Sequence, residues 1–167
     1  LAHPGIRGVS FVGSTATAKH VYVEAATHGT RVQSRGGAKN FILVMPDAVL
    51  GPTVNALMGS CLGCAGQRCL AGSNIVAVGE VHDALRDGLV EKAKAMKVGN
   101  GLDPAVHMGP LSTRCAKERV LRMIELGIKE GAKLVLDGRG VKVPAHPNGF
   151  YIGPTIFDEV TPSMTIA

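Results

Sequence analysis

The sequence predicts an α/β fold with a mainly parallel sheet. Three observations carry this expectation: short β-branched apolar runs alternate with longer amphipathic stretches, glycines mark the joins, and the first run, turn and stretch lead directly into a second run. Val9–Val12 is an apolar run ending at Gly13 and reads as a buried strand. Ser14 is placed to cap a following helix that passes through Ala25-Ala26 and stops at Gly29. Arg31-Val32-Gln33 is a second short strand, so residues 8–33 read as strand, helix, strand, the repeating unit of a parallel sheet.

Beyond Gly36-Gly37, Phe41–Met45 is a near-continuous apolar strand that Pro46-Asp47 ends. A helix is expected from about Pro52 to Gly63, with Val54, Leu57, Met58, Cys61 and Leu62 at helical spacing. Asn74–Val78 reads as another buried strand. Val81, Leu85, Leu89, Ala93 and Met96 then recur nearly every fourth residue, which makes an amphipathic helix. A loop rich in Gly, Pro and Asn spans residues 98–110. Ser112 is expected to cap the next helix, whose Val120, Ile124 and Ile128 precede a stop at Gly131. Lys133–Leu136, Tyr151-Ile152 and Thr155–Phe157 read as short strands around a turn-rich excursion.

Bulk properties narrow the function classes. A chain of 167 residues with 46% hydrophobic and 19% charged content suits a globular body with a sizeable core. Four Phe and two Tyr against 22 Gly point to close backbone packing and many tight turns. The net charge of +5 is modest, with Lys and Arg interspersed among acids, and no basic strip interleaved with aromatics suggests nucleic acid. No apolar run approaches the roughly 18 residues of a membrane span. Four cysteines without a regular framework suggest a reducing compartment. The start at Leu1 has neither an initiator Met nor a signal-peptide pattern, so the chain is expected to be part of a longer one.

Chemistry concentrates at Gly66-Gln67-Arg68-Cys69, which sets one thiol on a small-residue turn just after an apolar helix. A thiol attacks as its thiolate, a form favoured by a neighbouring cation and by oriented backbone N–H groups. The same N–H groups can hold the oxyanion formed when sulfur attacks a carbonyl. A lone cysteine is more often a small buried apolar residue, so both readings stand on spacing alone. Cys61, Cys64 and Cys69 also form C-x2-C-x4-C, which raises zinc, an iron–sulfur cluster or a redox pair as rivals. With no ligand-spaced His or second Cys pair nearby, no metal site is expected, and Cys61, Cys64 and Cys115 read as small core or surface residues. His20, His28, His82, His107 and His146 likewise receive no role. Gly13-Ser14 lies at a strand-to-helix turn, where unpaired N–H groups and the helix dipole suit a phosphate. An ordinary N-cap explains the pair equally simply.

Taken in order, Gly8-Val9-Ser10-Phe11-Val12-Gly13-Ser14-Thr15, Gly36-Gly37-Ala38-Lys39-Asn40, Val44-Met45-Pro46-Asp47-Ala48, Met108-Gly109-Pro110-Leu111 and Gly153-Pro154-Thr155-Ile156 resemble the aldehyde dehydrogenase superfamily. Val32-Gln33, Gly37–Asn40, Met45-Pro46-Asp47 and Gln67-Arg68-Cys69-Leu70-Ala71 are similar to its CoA-acylating methylmalonate-semialdehyde dehydrogenase branch. The resemblance runs nearly the length of the chain. It implies a three-layer αβα, aldehyde dehydrogenase-like architecture, with residues 1–36 the C-terminal end of an NAD-binding domain and 37–167 most of a catalytic domain.

The resemblance also assigns roles. Cys69 would be the nucleophile; Arg68 would bind the carboxylate of a semialdehyde substrate, or else stiffen the loop. Gly13, Ser14 and Gly36 would contact NAD. Ala18 replaces a Gly frequent in the family, which would crowd the helix start. Lys39 and Asn40 would hold the hinge against neighbouring backbone. Arg35 stands where hydrolytic members resemble Glu-Leu-Gly-Gly-Lys; an Arg stays protonated and cannot activate water, so the acyl group would pass to coenzyme A instead. The implied reaction is NAD-dependent oxidation of methylmalonate or malonate semialdehyde to propionyl-CoA or acetyl-CoA, in a homo-oligomeric protein (dimer or tetramer) of the bacterial cytoplasm or the mitochondrial matrix. The alternatives are a general hydrolytic aldehyde dehydrogenase, or an inactive fragment or degenerate homologue acting as an interaction module.

Overall fold

In the computed structural model, which describes residues 1–167, the contacts divide the chain into two units, Leu1–Ala38 and Lys39–Ala167. The first holds strand β1 (Gly8–Val12), helix α1 (Thr15–Thr27) and strand β2 (Arg31–Arg35). β1 and β2 pair in parallel, with Val9 opposite Val32 and Val12 opposite Arg35. Ser14 is the N-cap of α1, its hydroxyl accepting from the Thr17 N–H at 3.3 Å. Gly29 reverses the chain at φ +66, a conformation only glycine adopts without strain. Ala18 is buried, and its carbonyl accepts from Ser34 Oγ at 2.7 Å, which stitches α1 to β2. One face of the pair is covered by α1 and the other is open, so Val12 is 70% exposed and β1 is half-buried rather than the buried strand expected.

The second unit contains β3 (Asn40–Val44), α2 (Leu50–Leu62), β4 (Gly72–Ala77), α3 (His82–Lys94), α4 (Arg114–Lys129), β5 (Lys133–Leu136) and β6 (Ile156–Asp158). β3 and β4 pair in parallel, with Ile42 opposite Ile75. Period-two alternation sends Ile42 and Val44 toward α2 and α3, while Phe41 and Leu43 on the opposite face are 57% and 64% exposed. Val44, Val54, Leu57, Leu85 and Leu89 form the core between this pair and the two helices. Leu111, Ile124 and Ile152 form a second core, against which Ala65, Phe150 and Phe157 pack.

Several local expectations give way to tertiary context. α2 starts at Leu50, two residues before Pro52; proline is tolerated in a first turn because the N–H groups there have no helical partner anyway. Thr113, not Ser112, caps α4, its Oγ1 accepting from the Ala116 N–H at 3.0 Å. The Ser112 N–H is engaged by Gln67 Oε1 at 2.9 Å. Tyr151-Ile152 is buried but not a strand, because its neighbours' backbone groups bond to loops: Leu111 N–H to the Phe150 carbonyl and Gly153 N–H to the Gly138 carbonyl. β5 and β6 pair antiparallel, so of the three separate two-stranded sheets β1–β2 and β3–β4 are parallel and β5–β6 is not.

The start of α3 is tied to β6 by charge. His82 Nε2 meets Asp158 Oδ1 and His82 Nδ1 meets Asp83 Oδ1, both at 2.9 Å. Arg86 Nη1 bonds Asp83 Oδ1 at 2.9 Å and lies 3.5 Å from Asp158 Oδ2. The hydrogen bond to Asp158, then that to Asp83, raises His82 above its ordinary value of 6.5. Burial is the largest single influence on Asp158 and pushes its carboxyl up, but the bonds from His82 and the Glu159 N–H and the nearby charges together bring it below 3.8. A raised His stabilises the fold below its unfolded pKa and loses that contribution as pH rises through the folded value; a lowered Asp contributes above its unfolded pKa and loses it on acidification. Stability of the second unit should therefore fall as pH rises above about 6.5. His82→Ala should flatten that decline in urea unfolding from about pH 5 to about pH 8, and an unchanged slope would refute the link.

Candidate active site

The Cys69 loop begins where α2 runs out of helical hydrogen bonds. The last carbonyls of a helix need partners, and cations suit them. Here Arg68 Nη2 donates to the carbonyls of both Gly59 and Ser60, the latter at 3.0 Å. Gly63 makes this possible, since a Cβ on it would stand 2.6 Å from Nη2 and 3.0 Å from the guanidinium carbon. The chain then reverses through three left-handed residues, Cys64, Ala65 and Gly66, at φ 53, 54 and 73. Only the last is glycine; a non-glycine residue in this region costs roughly 1–2 kcal/mol. Such strain is held in place by the surroundings, which here include the second core packing on Ala65.

Gln67 anchors the far side of that turn. Its Nε2 donates to the carbonyls of Cys64 at 3.0 Å and Pro110 at 3.3 Å, and its Oε1 accepts from the Ser112 N–H. Cys69 and Leu70 are the central residues of a turn closed by the Ala71 N–H on the Arg68 carbonyl at 3.1 Å. Asn40 fastens this turn to the start of β3: its Nδ2 donates to the carbonyls of Cys69 at 2.8 Å and Ala71 at 2.9 Å. The Cys69 side chain is exposed and its N–H has no acceptor within the chain. A thiol and an uncommitted amide on one rigid, solvent-facing turn can together serve carbonyl addition, the sulfur as nucleophile and the amide as oxyanion donor.

The other cysteines differ. Burial pushes the Cys61 thiol up, with the Arg68 charge pulling partly the other way, so Cys61 stays protonated. Cys64 lies at the left-handed reversal just beyond α2, and Cys64 and Cys115 are exposed. No group of three His, Cys, Asp or Glu side chains is placed to hold a metal ion.

Gly13, Ser14 and Gly36 come together in the first unit, at the carboxyl end of the β1–β2 pair. The Gly13 N–H donates to the Arg35 carbonyl at 3.1 Å. Thr15 Oγ1 accepts from the Gly37 N–H at 3.1 Å, and a Cβ on Gly36 would stand 2.9 Å from that oxygen. The carboxyl end of parallel strands, beside a helix N-terminus, is where such sheets bind anionic ligands. The residues present fit the phosphates of a dinucleotide: the first amides of α1 lack helical partners, and the Ser14 hydroxyl, which accepts from the Thr17 N–H and shares a 2.8 Å hydrogen bond with Thr17 Oγ1, lies beside them. Gly13 has a packing reason to be glycine, because a Cβ would lie 2.6 Å from the Phe11 ring. Arg35 ends β2 with an exposed side chain. Cys69 and Arg68 lie in the second unit.

The sequence did not single out Gln67, Gly63 or His82. Gln67 was visible only as part of the Gln-Arg-Cys string, and nothing local marks Gly63 as the residue that makes room for a guanidinium. Asn40, expected to hold neighbouring backbone, is the residue that fixes the Cys69 turn. Asn40→Ala should destabilise the chain by about 1–3 kcal/mol, read from urea unfolding, and should speed protease cleavage within residues 63–71. Cleavage at the wild-type rate would mean the turn is held by its other ties.

Comparison with known proteins bears on what this turn serves. "Malonate-semialdehyde dehydrogenase 2" of Geobacillus kaustophilus is 49% identical over 166 residues, covering 99% of this chain and 34% of that protein. The mitochondrial acylating methylmalonate-semialdehyde dehydrogenase of Arabidopsis thaliana is 50% identical over 159 residues, covering 95% of this chain and 26% of that protein. Among solved structures, a Sinorhizobium meliloti 1021 protein assigned as a methylmalonate-semialdehyde dehydrogenase and complexed with NAD superposes with a TM-score of 0.96 at 47% identity, covering 99% of this chain and 34% of that one. The methylmalonate-semialdehyde dehydrogenase of Oceanimonas doudoroffii gives a TM-score of 0.95 at 43% identity over the same shares. The chain thus spans about a third of the length of most of these relatives and has the aldehyde dehydrogenase fold. Residues 1–167 match the aldehyde dehydrogenase family model throughout, and the chain belongs to that family.

Proposed function

We propose that this chain carries the nucleophile and part of the dinucleotide site of an NAD-dependent enzyme that oxidises malonate or methylmalonate semialdehyde and transfers the acyl group to coenzyme A. The observation that carries the reading is the exposed Cys69 on a turn tied by Asn40, Gln67 and Arg68. Relatives named for these two semialdehydes, one of them termed acylating, support the substrate class. In the division of labour we infer, residues 1–36 contribute the end of the cofactor domain and residues 37–167 the catalytic domain of a homo-oligomeric protein.

Cys69 Sγ, having lost its proton to solvent, adds to the aldehyde carbon, and the Cys69 N–H donates to the oxygen that becomes negative. Arg68 offers the carboxylate of the substrate a charged N–H that its bonds to the Gly59 and Ser60 carbonyls leave free. Gly13, Ser14 and Gly36 would hold the phosphate and nicotinamide ends of the dinucleotide, and NAD when bound would accept the hydride from the former aldehyde carbon, so that a thioester remains on Cys69. The thiolate of coenzyme A then attacks the thioester carbonyl, and Cys69 departs as a thiolate. Arg35 stays protonated and cannot activate water for a competing hydrolysis. Loss of the β-carboxylate as carbon dioxide, with a proton from solvent taken up at the α carbon, completes the route to propionyl-CoA or acetyl-CoA.

In the full-length protein, Cys69→Ala should abolish the thioester seen by mass spectrometry after substrate and NAD are added, and NADH formation with it. Retained turnover would remove Cys69 from this role. Without coenzyme A, wild type should release about one NADH per site and then nearly stop, the behaviour of a trapped acyl-enzyme. Steady NADH release at the same rate with and without coenzyme A would favour the hydrolytic reading.

A further inference from the structure

Arg68 is committed to a task that a substrate-binding role does not require. Both hydrogens of its Nη2 are spent on the terminal carbonyls of α2, at Gly59 and Ser60. A guanidinium grips a carboxylate through one of two edges, Nε with Nη2 or Nη1 with Nη2. Each of these edges includes Nη2. While the tie to α2 stands, Arg68 can therefore offer a carboxylate only a single N–H, not the paired grip expected of it from sequence. The fold also makes room for the tie. Gly63 leaves a notch that any Cβ would fill, and its backbone is at an ordinary φ of −55, so the missing side chain matters for space and not for chain conformation.

On the same residue the turn holding Cys69 is closed, since the Arg68 carbonyl accepts from the Ala71 N–H. The side chain of Arg68 is thus fastened to α2 while its backbone forms the base of the Cys69 turn. A cation on the last carbonyls of a helix is electrostatically favoured; here it bonds the Ser60 carbonyl and adds a second donor to the Gly59 carbonyl, which already accepts from the Gly63 N–H. Building on the proposed nucleophile, we infer that Arg68 is a positioning residue: seated in the Gly63 notch, it pins the Cys69 turn to the end of α2 and so fixes where the sulfur stands. Asn40 holds the same turn from β3, and together they define its place from two sides.

Gly63→Ala separates this role from a carboxylate contact, because it pushes the guanidinium off the α2 carbonyls and leaves its charge in place. In the full-length protein, Gly63→Ala and Arg68→Ala should both speed amide hydrogen exchange in residues 59–71. Both should lower kcat on the order of 10- to 100-fold for methylmalonate semialdehyde and for uncharged propionaldehyde alike, as misplacement of a reacting group does. Gly63→Ala should leave KM for the acidic aldehyde near wild type. Wild-type exchange and kcat in Gly63→Ala would overturn the inference, as would an Arg68→Ala protein altered only in KM for the acidic aldehyde. If wild type oxidises neither aldehyde with NAD, the proposed function fails, while the exchange measurement still decides whether the tie holds the turn.

Discussion

The two hydrogen bonds from the Asn40 carboxamide to the carbonyls of Cys69 and Ala71 set the condition on which the site depends. A loop that turns sharply cannot satisfy its backbone polar groups by internal repetition, and each one left without a partner away from water is costly. Residues 63–71 meet this demand with side chains from three directions. Asn40 reaches in from β3, Arg68 reaches back to α2, and Gln67 reaches across to Pro110 and Ser112. The outcome is a thiol that is exposed while its backbone is immobilised. A reacting group on a surface loop needs that combination, because position is held by the backbone and access is given by the side chain.

The two packed cores support this arrangement. The first, built on Val54, Leu57 and Leu85, fixes α2 and therefore the carbonyls that Arg68 grips. The second takes in Ala65, so the left-handed reversal before Cys69 is pressed against Leu111 and Ile152. The motifs at Met108–Leu111 and Gly153–Ile156 thus have a structural meaning: they bound the core on which the reversal rests, and the Pro110 carbonyl receives Gln67. Gly153 and Gly138 approach closely enough that a Cβ on Gly138 would overlap the Gly153 backbone, so the second segment is locked to its neighbour. Residues far apart in the chain are in this way concerned with one short turn.

The first unit obeys the same logic with simpler parts. The strand–helix–strand unit was legible because each of its signals is local: Ser14 as a cap, Gly29 as a stop, and valines in the runs on either side. What was less legible is why its glycines are there. Gly13 and Gly36 invite a reading as ligand-contact residues, yet each also lies where a Cβ would meet Phe11 or Thr15. A cofactor reading and a packing reading of these residues are compatible, since a strand end that approaches a helix start this closely also brings its amides to one place.

Periodicity, caps and stops act over a few residues, so the alternation of strands and helices and the thiol set after an apolar helix were legible in the sequence, while the start of α2, the cap of α4 and the limits of β4 and β6 were not. Tertiary structure alone decided that Asn40, 29 residues before Cys69, would hold its carbonyl. It decided as well that His82 would find Asp158 across 76 residues, and that Gly63 would leave space for a guanidinium. Ser112 lost its expected capping role for the same reason. A local preference is worth about 1 kcal/mol, and it yields when distant elements, brought together by burial of apolar surface, present a partner for the same backbone group.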